Sequence, residues 1–259
     1  MTSAPASLSV VVPLYQEAAG VAALCAALSR LHDTVAPRRS LEFVLVDDGS
    51  TDGTASRLRA TINAENPAWR VLEHDRNRGL TAALRTGSEA ARFDLVAWLD
   101  ADLSYDPMVL IDLLAAIDDG AEFATASCHG PGGRIEGVSA FRAMLSRQAS
   151  RCYRWATGRR IATFTCMVRV QRRDLLLATW PAREGFLGVT EQFLRVLASG
   201  ARAVEVPAVL RARRTGRSKL RVLRAVRAHL GLMWAAWRGA FQPQAARDAH
   251  PSVSQRASK

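Results

Sequence analysis

The run Leu95-Val96-Ala97-Trp98-Leu99 carries no charge and ends in Asp100-Ala101-Asp102, two carboxylates one residue apart. Such a run reads as a buried strand, and acids at its end place charge at a sheet edge, where open α/β folds bind ligands. Carboxylates with room for water suit Mg²⁺ or Mn²⁺ held against a diphosphate. The plain alternative is an acidic turn after a strand.

Two further strand ends repeat the pattern. Leu8–Pro13 is a β-branched run that leads into Leu14-Tyr15-Gln16-Glu17, and Leu41–Val46 ends at Asp47-Asp48-Gly49-Ser50. Helical spacing is expected over Val21–Leu31, over Thr51–Ile62 with Ser50 or Thr51 as cap, over Leu80–Ala91, and over Met108–Ile117 with Pro107 in its first turn. Arg70–Glu73 and Glu122–Ala126 complete a five-strand series. Strands alternating with helices predict an α/β fold with a mostly parallel, doubly wound sheet flanked by helices. All three acidic ends then share one sheet edge. A carboxylate there can accept from a nucleobase N–H or a ribose hydroxyl, and Gly49 and Gly53 let backbone approach a ligand closely. N-capping of the next helix is the competing role for Asp47 and Asp48.

Beyond residue 128 the pattern loosens. Gly130-Pro131-Gly132-Gly133 reads as a loop, Val138–Trp155 as a long helix, Thr163–Val170 as a strand, Gly188–Leu197 as a helix and Ala203–Val206 as a strand. Arg217–Phe241 reads as a helix with Leu220, Leu223, Val226, Leu230, Met233, Trp237 and Phe241 on one face. The tail from Gln242 is polar.

The formal net charge is +11, which calls for an anionic partner. Nine Arg/Lys residues and no acid lie between Arg211 and Arg238. With Trp234 and Trp237 among them, the expected partner is an anionic membrane surface met peripherally. No nucleic-acid-binding signature accompanies the charge, so nucleic acid is not an expected partner. Four scattered cysteines without a C-x-x-C pair fit a reducing compartment. Met1–Ser7 lacks the pattern of a signal peptide, and no apolar stretch reaches 18 residues. The expected location is cytoplasmic, peripheral at the inner face of the membrane.

The strings VVVPLYQE, VDDGSTDGT, NRGLTAALRTG and WLDADLSYDP, in this order, resemble inverting family 2 glycosyltransferases of the GT-A fold. Within that family the chain is most similar to polyprenyl-phosphate sugar synthases of the dolichyl-phosphate mannose synthase kind. That likeness continues through GPGGRIEGVSAFRAMLSR and EVPAVLRARRTGRSKL. It implies one catalytic domain over 1–220, with a nucleotide-sugar half at 8–127 and an acceptor half at 128–220. A basic helix at 221–241 and a tail at 242–259 follow.

The resemblance implies a nucleotide-sugar donor and a polyprenyl phosphate acceptor, with a separate membrane protein as a further candidate partner. Pro13, Tyr15, Glu17, Asp47, Asp48 and Gly49 match the nucleotide pocket, which Asp100 also borders. Asp100 and Asp102 match a D-x-D motif that binds Mg²⁺ or Mn²⁺ and, through it, the diphosphate. Arg142, Arg213 and Lys219 match basic positions that handle acceptor phosphate or donor diphosphate; arginine suits bidentate phosphate contact. Glu191 resembles the acid of an E-D motif, which serves as base for a hydroxyl acceptor and orients the site where the acceptor is already anionic.

Four departures stand out. Gln16 replaces an asparagine, Ser104 a metal-ligating glutamine and Cys128 a phosphate-contacting arginine. Residues 163–168 keep only Thr165 of a D-x-T-S-G-F-R pattern that ends at Arg169. They leave open a hydroxyl acceptor with Glu191 as base, or a protein that binds nucleotide-sugar or lipid without turnover.

Overall fold

The structure is a computed structural model that describes residues 6–62, 66, 68–212 and 222–241. Strands and helices run in the order β1 (Leu8–Leu14), α1 (Val21–Val35), β2 (Leu41–Asp47), α2 (Thr54–Thr61), β3 (Trp69–Glu73), α3 (Leu80–Ala90), β4 (Leu95–Trp98) and α4 (Val109–Asp118). They continue with β5 (Phe123–Ser127), β6 (Arg134–Glu136), α5 (Ala140–Thr157), β7 (Arg169–Arg172), α6 (Arg173–Ala178), α7 (Gly185–Ser199), β8 (Ala203–Pro207), β9 (Val209–Arg211) and α8 (Val222–Trp237).

Seven strands form one sheet in the order β3-β2-β1-β4-β7-β5-β8, and β6 pairs with β9 in a separate parallel ribbon. All neighbours in the large sheet are parallel except β7, which runs antiparallel between β4 and β5. The expected mostly parallel α/β sheet is therefore present, and both halves of the chain contribute to it. Val10, Val11 and Val12 of β1 and Val44, Leu45 and Val46 of β2 are fully buried, because helices cover both faces of these β-branched runs.

Packing is close where α3 crosses β1. A Cβ on Gly87 would fall 2.3 Å from Cγ1 of Val11. Gly87→Ala is expected to cost about 1–3 kcal/mol through overpacking, read as a lower urea midpoint at constant m-value.

Two expectations need correction. The second helix begins at Thr54, three residues late, and neither Ser50 nor Thr51 caps it. Their hydroxyls instead accept from the Gln16 backbone N–H and the Gln16 side-chain amide, each at 2.9 Å. Asp52 accepts the Thr54 N–H at 3.1 Å in their place. The expected strand over 163–170 is formed only from Arg169. The backbone N–H groups of Ala162, Thr163 and Phe164 donate to Glu205 and Ser150 side chains rather than to a ladder.

α5 and α8 pack together over a third core cluster containing Phe123, Tyr153, Phe164, Phe193 and Leu232. Tyr153 Oη and His229 Nδ1 pair at 2.8 Å between the two helices. Burial holds the His229 imidazole below its ordinary value of 6.5. The folded chain therefore keeps it neutral where the unfolded chain takes up a proton. This contribution to stability is complete above the ordinary value and is lost as the pH falls through the lowered one. Thermal melts across pH 7.5 to 5 are expected to fall toward acid, with a shallower slope in His229→Gln.

Candidate active site

β2, β1 and β4 are adjacent and parallel, so their C-terminal ends meet at one edge, as the sequence predicts. The loop after β1 is strapped to the turn after β2. Gln16 N–H donates to Ser50 Oγ, Glu17 N–H to Thr54 Oγ1 and Ala18 N–H to Asp52 Oδ2, at 2.9, 3.0 and 3.1 Å. The small hydroxyls of DGSTDGT thus position Pro13, Tyr15 and Glu17. Tyr15 is exposed at this edge, while Pro13 and Glu17 are half-buried.

The two acids after β2 have different tasks. Asp48 is buried and its carboxylate accepts from Arg78 N–H and Gly79 N–H, both at 2.8 Å, with His74 Nδ1 at 2.7 Å. It ties the strand end to the segment that opens α3. Gly49, at φ +68°, lies so close that a Cβ would sit 2.2 Å from the Arg76 carbonyl carbon. Asp47 accepts the Ser50 N–H through Oδ2 at 3.1 Å. Its Oδ1 is buried without a hydrogen-bond partner among the described residues. An unfilled acceptor of this kind suits an incoming N–H donor.

After β4, Asp102 is 8% exposed and its Oδ1 accepts the Ser104 N–H at 2.9 Å and the Ser104 hydroxyl. Ser104, which stands where the resemblance has a metal-ligating glutamine, therefore orients one of the paired acids. Its carbonyl accepts the Arg211 N–H at 2.7 Å, which joins this loop to β9. Gln16 (φ +57°) and Leu103 (φ +55°) are the two described non-glycine residues with left-handed backbone, and both lie in the site loops. Such conformations persist where neighbouring contacts over-determine them.

No group of three or more His, Cys, Asp or Glu side chains gathers to hold a metal among the described residues. Two carboxylates alone fit Mg²⁺ or Mn²⁺, which take one or two such ligands and complete their shell with water and phosphate oxygens. Asp100 and Asp102 are thus suited to an ion shared with a diphosphate.

Arg169 is a buried cation whose place the sequence reading missed. It is fully buried, donates to the carbonyls of Met167, Val189 and Cys166, and donates to Gln192 Oε1 at 2.7 Å. The rings of Trp98 and Phe123 lie 5.3 Å from its guanidinium. Burial lowers its pKa to about 10 while the charges of Cys166 and Asp100 oppose that fall. It remains cationic at neutral pH and puts fixed positive charge near Asp100. The retained arginine of the altered segment was the available signal.

The segment that the resemblance assigns to the acceptor departs from it. Cys128 is buried, with Tyr105 hydroxyl against its thiol and against that of Cys166. Burial raises the Cys128 pKa, so this position supplies no charge. Arg147 is a cation near this segment: burial lowers the His129 pKa and the Arg147 charge lowers it further, and the same charge acts on Cys128. Glu205 of the EVP string accepts from Ala162 N–H at 2.6 Å and Thr163 N–H at 2.8 Å, bracing the altered stretch. Arg142 lies exposed near the start of α5. Arg213 and Lys219 lie outside the described residues.

Glu191 on α7 is fully buried. Oε2 accepts Arg183 N–H at 2.9 Å, and Oε1 accepts Arg195 Nε and Nη2 at 3.0 and 2.8 Å. Burial by itself would raise its pKa, but the Arg195 and backbone hydrogen bonds win and the value is lowered. The same arrangement fixes the Arg183–Gly185 loop, whose carbonyls approach Thr81 Oγ1 at the start of α3.

Comparison with known proteins bears on the family and the fold. The sequence pattern of glycosyl transferase family 2 matches residues 9–172. The undecaprenyl-phosphate 4-deoxy-4-formamido-L-arabinose transferase of Klebsiella pneumoniae is 29% identical over 221 residues, 85% of this chain. The chain spans 64% of that relative's length. Glucosyl-3-phosphoglycerate synthase from Mycobacterium tuberculosis, solved with Mg²⁺ and UDP, superposes with a TM-score of 0.67 at 19% identity, over 92% of this chain and 81% of that one. The same synthase with Mn²⁺, UDP and phosphoglyceric acid gives 0.66 at 19% identity, over 92% and 80%. These likenesses establish the GT-A fold, and the match over more than half of the sequence establishes that this chain belongs to glycosyl transferase family 2.

Proposed function

We propose that the chain moves a sugar from a nucleotide-sugar to a polyprenyl phosphate, with inversion at the anomeric carbon. The observation that carries this reading is Glu191. Both of its oxygens are occupied and its carboxylate is held ionised by Arg195 and backbone N–H groups. A carboxylate so placed is a poor base; a hydroxyl acceptor would need a better one, whereas a phosphate needs none. A phosphate monoester is already an anion, its second pKa lying near about 6. The Klebsiella relative acts on an undecaprenyl phosphate by its name, which supports the same acceptor.

In the proposed reaction an acceptor phosphate oxygen attacks the anomeric carbon in line. The bond from that carbon to the diphosphate oxygen breaks, and the departing nucleoside diphosphate takes the electron pair. Asp47 Oδ1 accepts a nucleobase N–H, while Pro13, Tyr15, Glu17 and Gly49 border the nucleotide, with Asp48 holding the loop beneath it. Asp100 and Asp102 would hold Mg²⁺ or Mn²⁺, whose Lewis acidity would offset charge on the leaving diphosphate. Arg142, Arg213 and Lys219 hold the acceptor phosphate. The acceptor is a lipid, so the chain works peripherally at an anionic membrane surface on the side that holds nucleotide-sugars, with or without a membrane protein partner.

A panel of UDP-, GDP- and dTDP-sugars with Mn²⁺ tests the reading, offering undecaprenyl phosphate against hydroxyl acceptors. A glycosyl polyprenyl phosphate is the expected product. Faster transfer to a hydroxyl acceptor, or binding without turnover of any donor, contradicts it.

A further inference from the structure

His129 follows β5 as Asp102 follows β4. Arg169 of β7 pairs with Trp98 on one side and with Thr125 on the other. Asp102 lies four residues beyond Trp98 and His129 four beyond Thr125, so the two strands leave the sheet level with each other. Two strand spacings, about 10 Å, separate their exits. A tight turn holds His129 in place. Its N–H donates to Thr163 Oγ1 and the Gly130 N–H donates to Ser127 Oγ, each at 3.2 Å. A Cβ on Gly133 would fall 2.3 Å from the Ser127 carbonyl oxygen, so the glycine-rich loop folds back onto the strand end.

The imidazole is only half satisfied. Its Nε2 meets Ser146 Oγ at 3.1 Å, and Ser146 Oγ meets Thr165 Oγ1 at 3.1 Å. Its Nδ1 is buried without a hydrogen-bond partner among the described residues, a vacancy that suits a polar ligand. Burial and the charge of Arg147 hold the ring below its ordinary pKa of 6.5, so at neutral pH it has one N–H and one lone pair. With the two hydroxyls it forms a chain that can run two ways. If the hydroxyl protons point toward the ring, Nε2 accepts and Nδ1 carries the proton. In the reverse direction Nδ1 is a bare acceptor. The surrounding charge decides between them. Arg147 acts on the ring, and no acid does among the described residues. Arg142 sits one turn before Ser146 on the same face of α5. Cations collect an anion, and an anion needs an N–H.

We infer that His129 binds phosphate: its Nδ1–H, aimed by the Thr165–Ser146 hydroxyl chain, donates to an oxygen of a phosphate monoester that Arg147 also attracts. That the monoester is the polyprenyl acceptor rests on the reaction proposed above. Cys128, the preceding residue, supplies no charge, so His129 provides the contact that the end of β5 otherwise lacks.

The test is calorimetric titration of the full chain with a short, water-soluble isoprenyl phosphate, without nucleotide-sugar or metal. The matching isoprenol and inorganic phosphate are the controls. The wild type is expected to bind the ester, to be competed by inorganic phosphate and to ignore the alcohol. His129→Asn keeps an N–H near the Nδ1 position and should bind within about threefold of the wild type. His129→Gln keeps the contact with Ser146 but offers nothing at Nδ1. It should bind about tenfold more weakly, because a hydrogen bond to a charged group is lost. Arg147→Gln, at an exposed position, should weaken binding about threefold with an unchanged melting temperature. In turnover, the His129→Gln loss should appear in KM for the lipid phosphate and not in KM for the nucleotide-sugar. A ring that only braces Ser146 predicts the opposite order, with glutamine the better replacement, and that order overturns the inference. So does equal binding by the wild type and all three variants, or binding of the isoprenol as tightly as its phosphate. Tighter binding of inorganic phosphate than of the ester overturns the lipid assignment. A wild type that binds the ester yet transfers sugar to a hydroxyl counts instead against the proposed reaction and leaves the phosphate site standing.

Discussion

Asp102→Asn is expected to lower sugar transfer about 10³-fold, the loss of several kcal/mol of charge stabilisation on the leaving diphosphate. The change is isosteric. An amide oxygen still accepts from Ser104, whose N–H and hydroxyl both meet Asp102 Oδ1, so the loop keeps its shape. Melting temperature without metal should stay at the wild-type value. The increase in melting temperature on adding Mn²⁺ with nucleoside diphosphate should disappear. Ser104→Ala is a milder version of the same change: it removes one of two anchors and should raise the Mn²⁺ concentration at half-maximal rate.

Glu191→Ala has the second largest expected effect, and it falls on the fold. It leaves Arg195 and the Arg183 backbone N–H without their shared partner. Removing one side of a fully buried pair costs about 3–5 kcal/mol; Arg183 and Arg195 keep some water contact, which lowers the figure to about 2–3 kcal/mol. Urea unfolding reads this directly. The same carboxylate predicts a pH effect. Its folded pKa lies below the ordinary 4.5, so its contribution to stability is complete above that value and is lost as the pH falls through the lowered one. Activity should follow a different group. If the acceptor is a phosphate, the acid limb of kcat/KM lies near about 6 and persists in Glu191→Gln. A limb that disappears in that variant would restore Glu191 as a base.

Most of what was legible in the sequence lay in residues 8–127. Leu8–Leu14, Leu41–Asp47 and Leu95–Trp98 are consecutive apolar runs, and a run that is buried on both faces can hardly be anything but an inner parallel strand. Their acidic ends then had to meet at one edge. β7 was much harder to read. Arg169-Val170-Gln171-Arg172 is mostly polar, like an edge strand, yet Arg169 and Gln171 are fully buried; their partners Val189 and Gln192 come from a distant segment, and Gln171 Nε2 has no partner among the described residues. The division of labour between Asp47 and Asp48 was hidden for a similar reason. Adjacent residues at a strand end point opposite ways, and only the position of Arg78 and Gly79 decides which carboxylate is occupied. α5 illustrates a third limit. Phe141, Met144 and Trp155 have the spacing of a core face, and nothing in the string tells that this stripe faces outward.

The central claim is metal-assisted transfer of a sugar to a lipid phosphate, and product analysis tests it most directly. The chain would be incubated with a nucleotide-sugar, Mn²⁺ and undecaprenyl phosphate, and the lipid fraction examined by mass spectrometry. The account predicts a glycosyl phosphate ester of the lipid that disappears with chelator and in Asp102→Asn. A product joined through a hydroxyl, or undiminished transfer by Asp102→Asn, would contradict it.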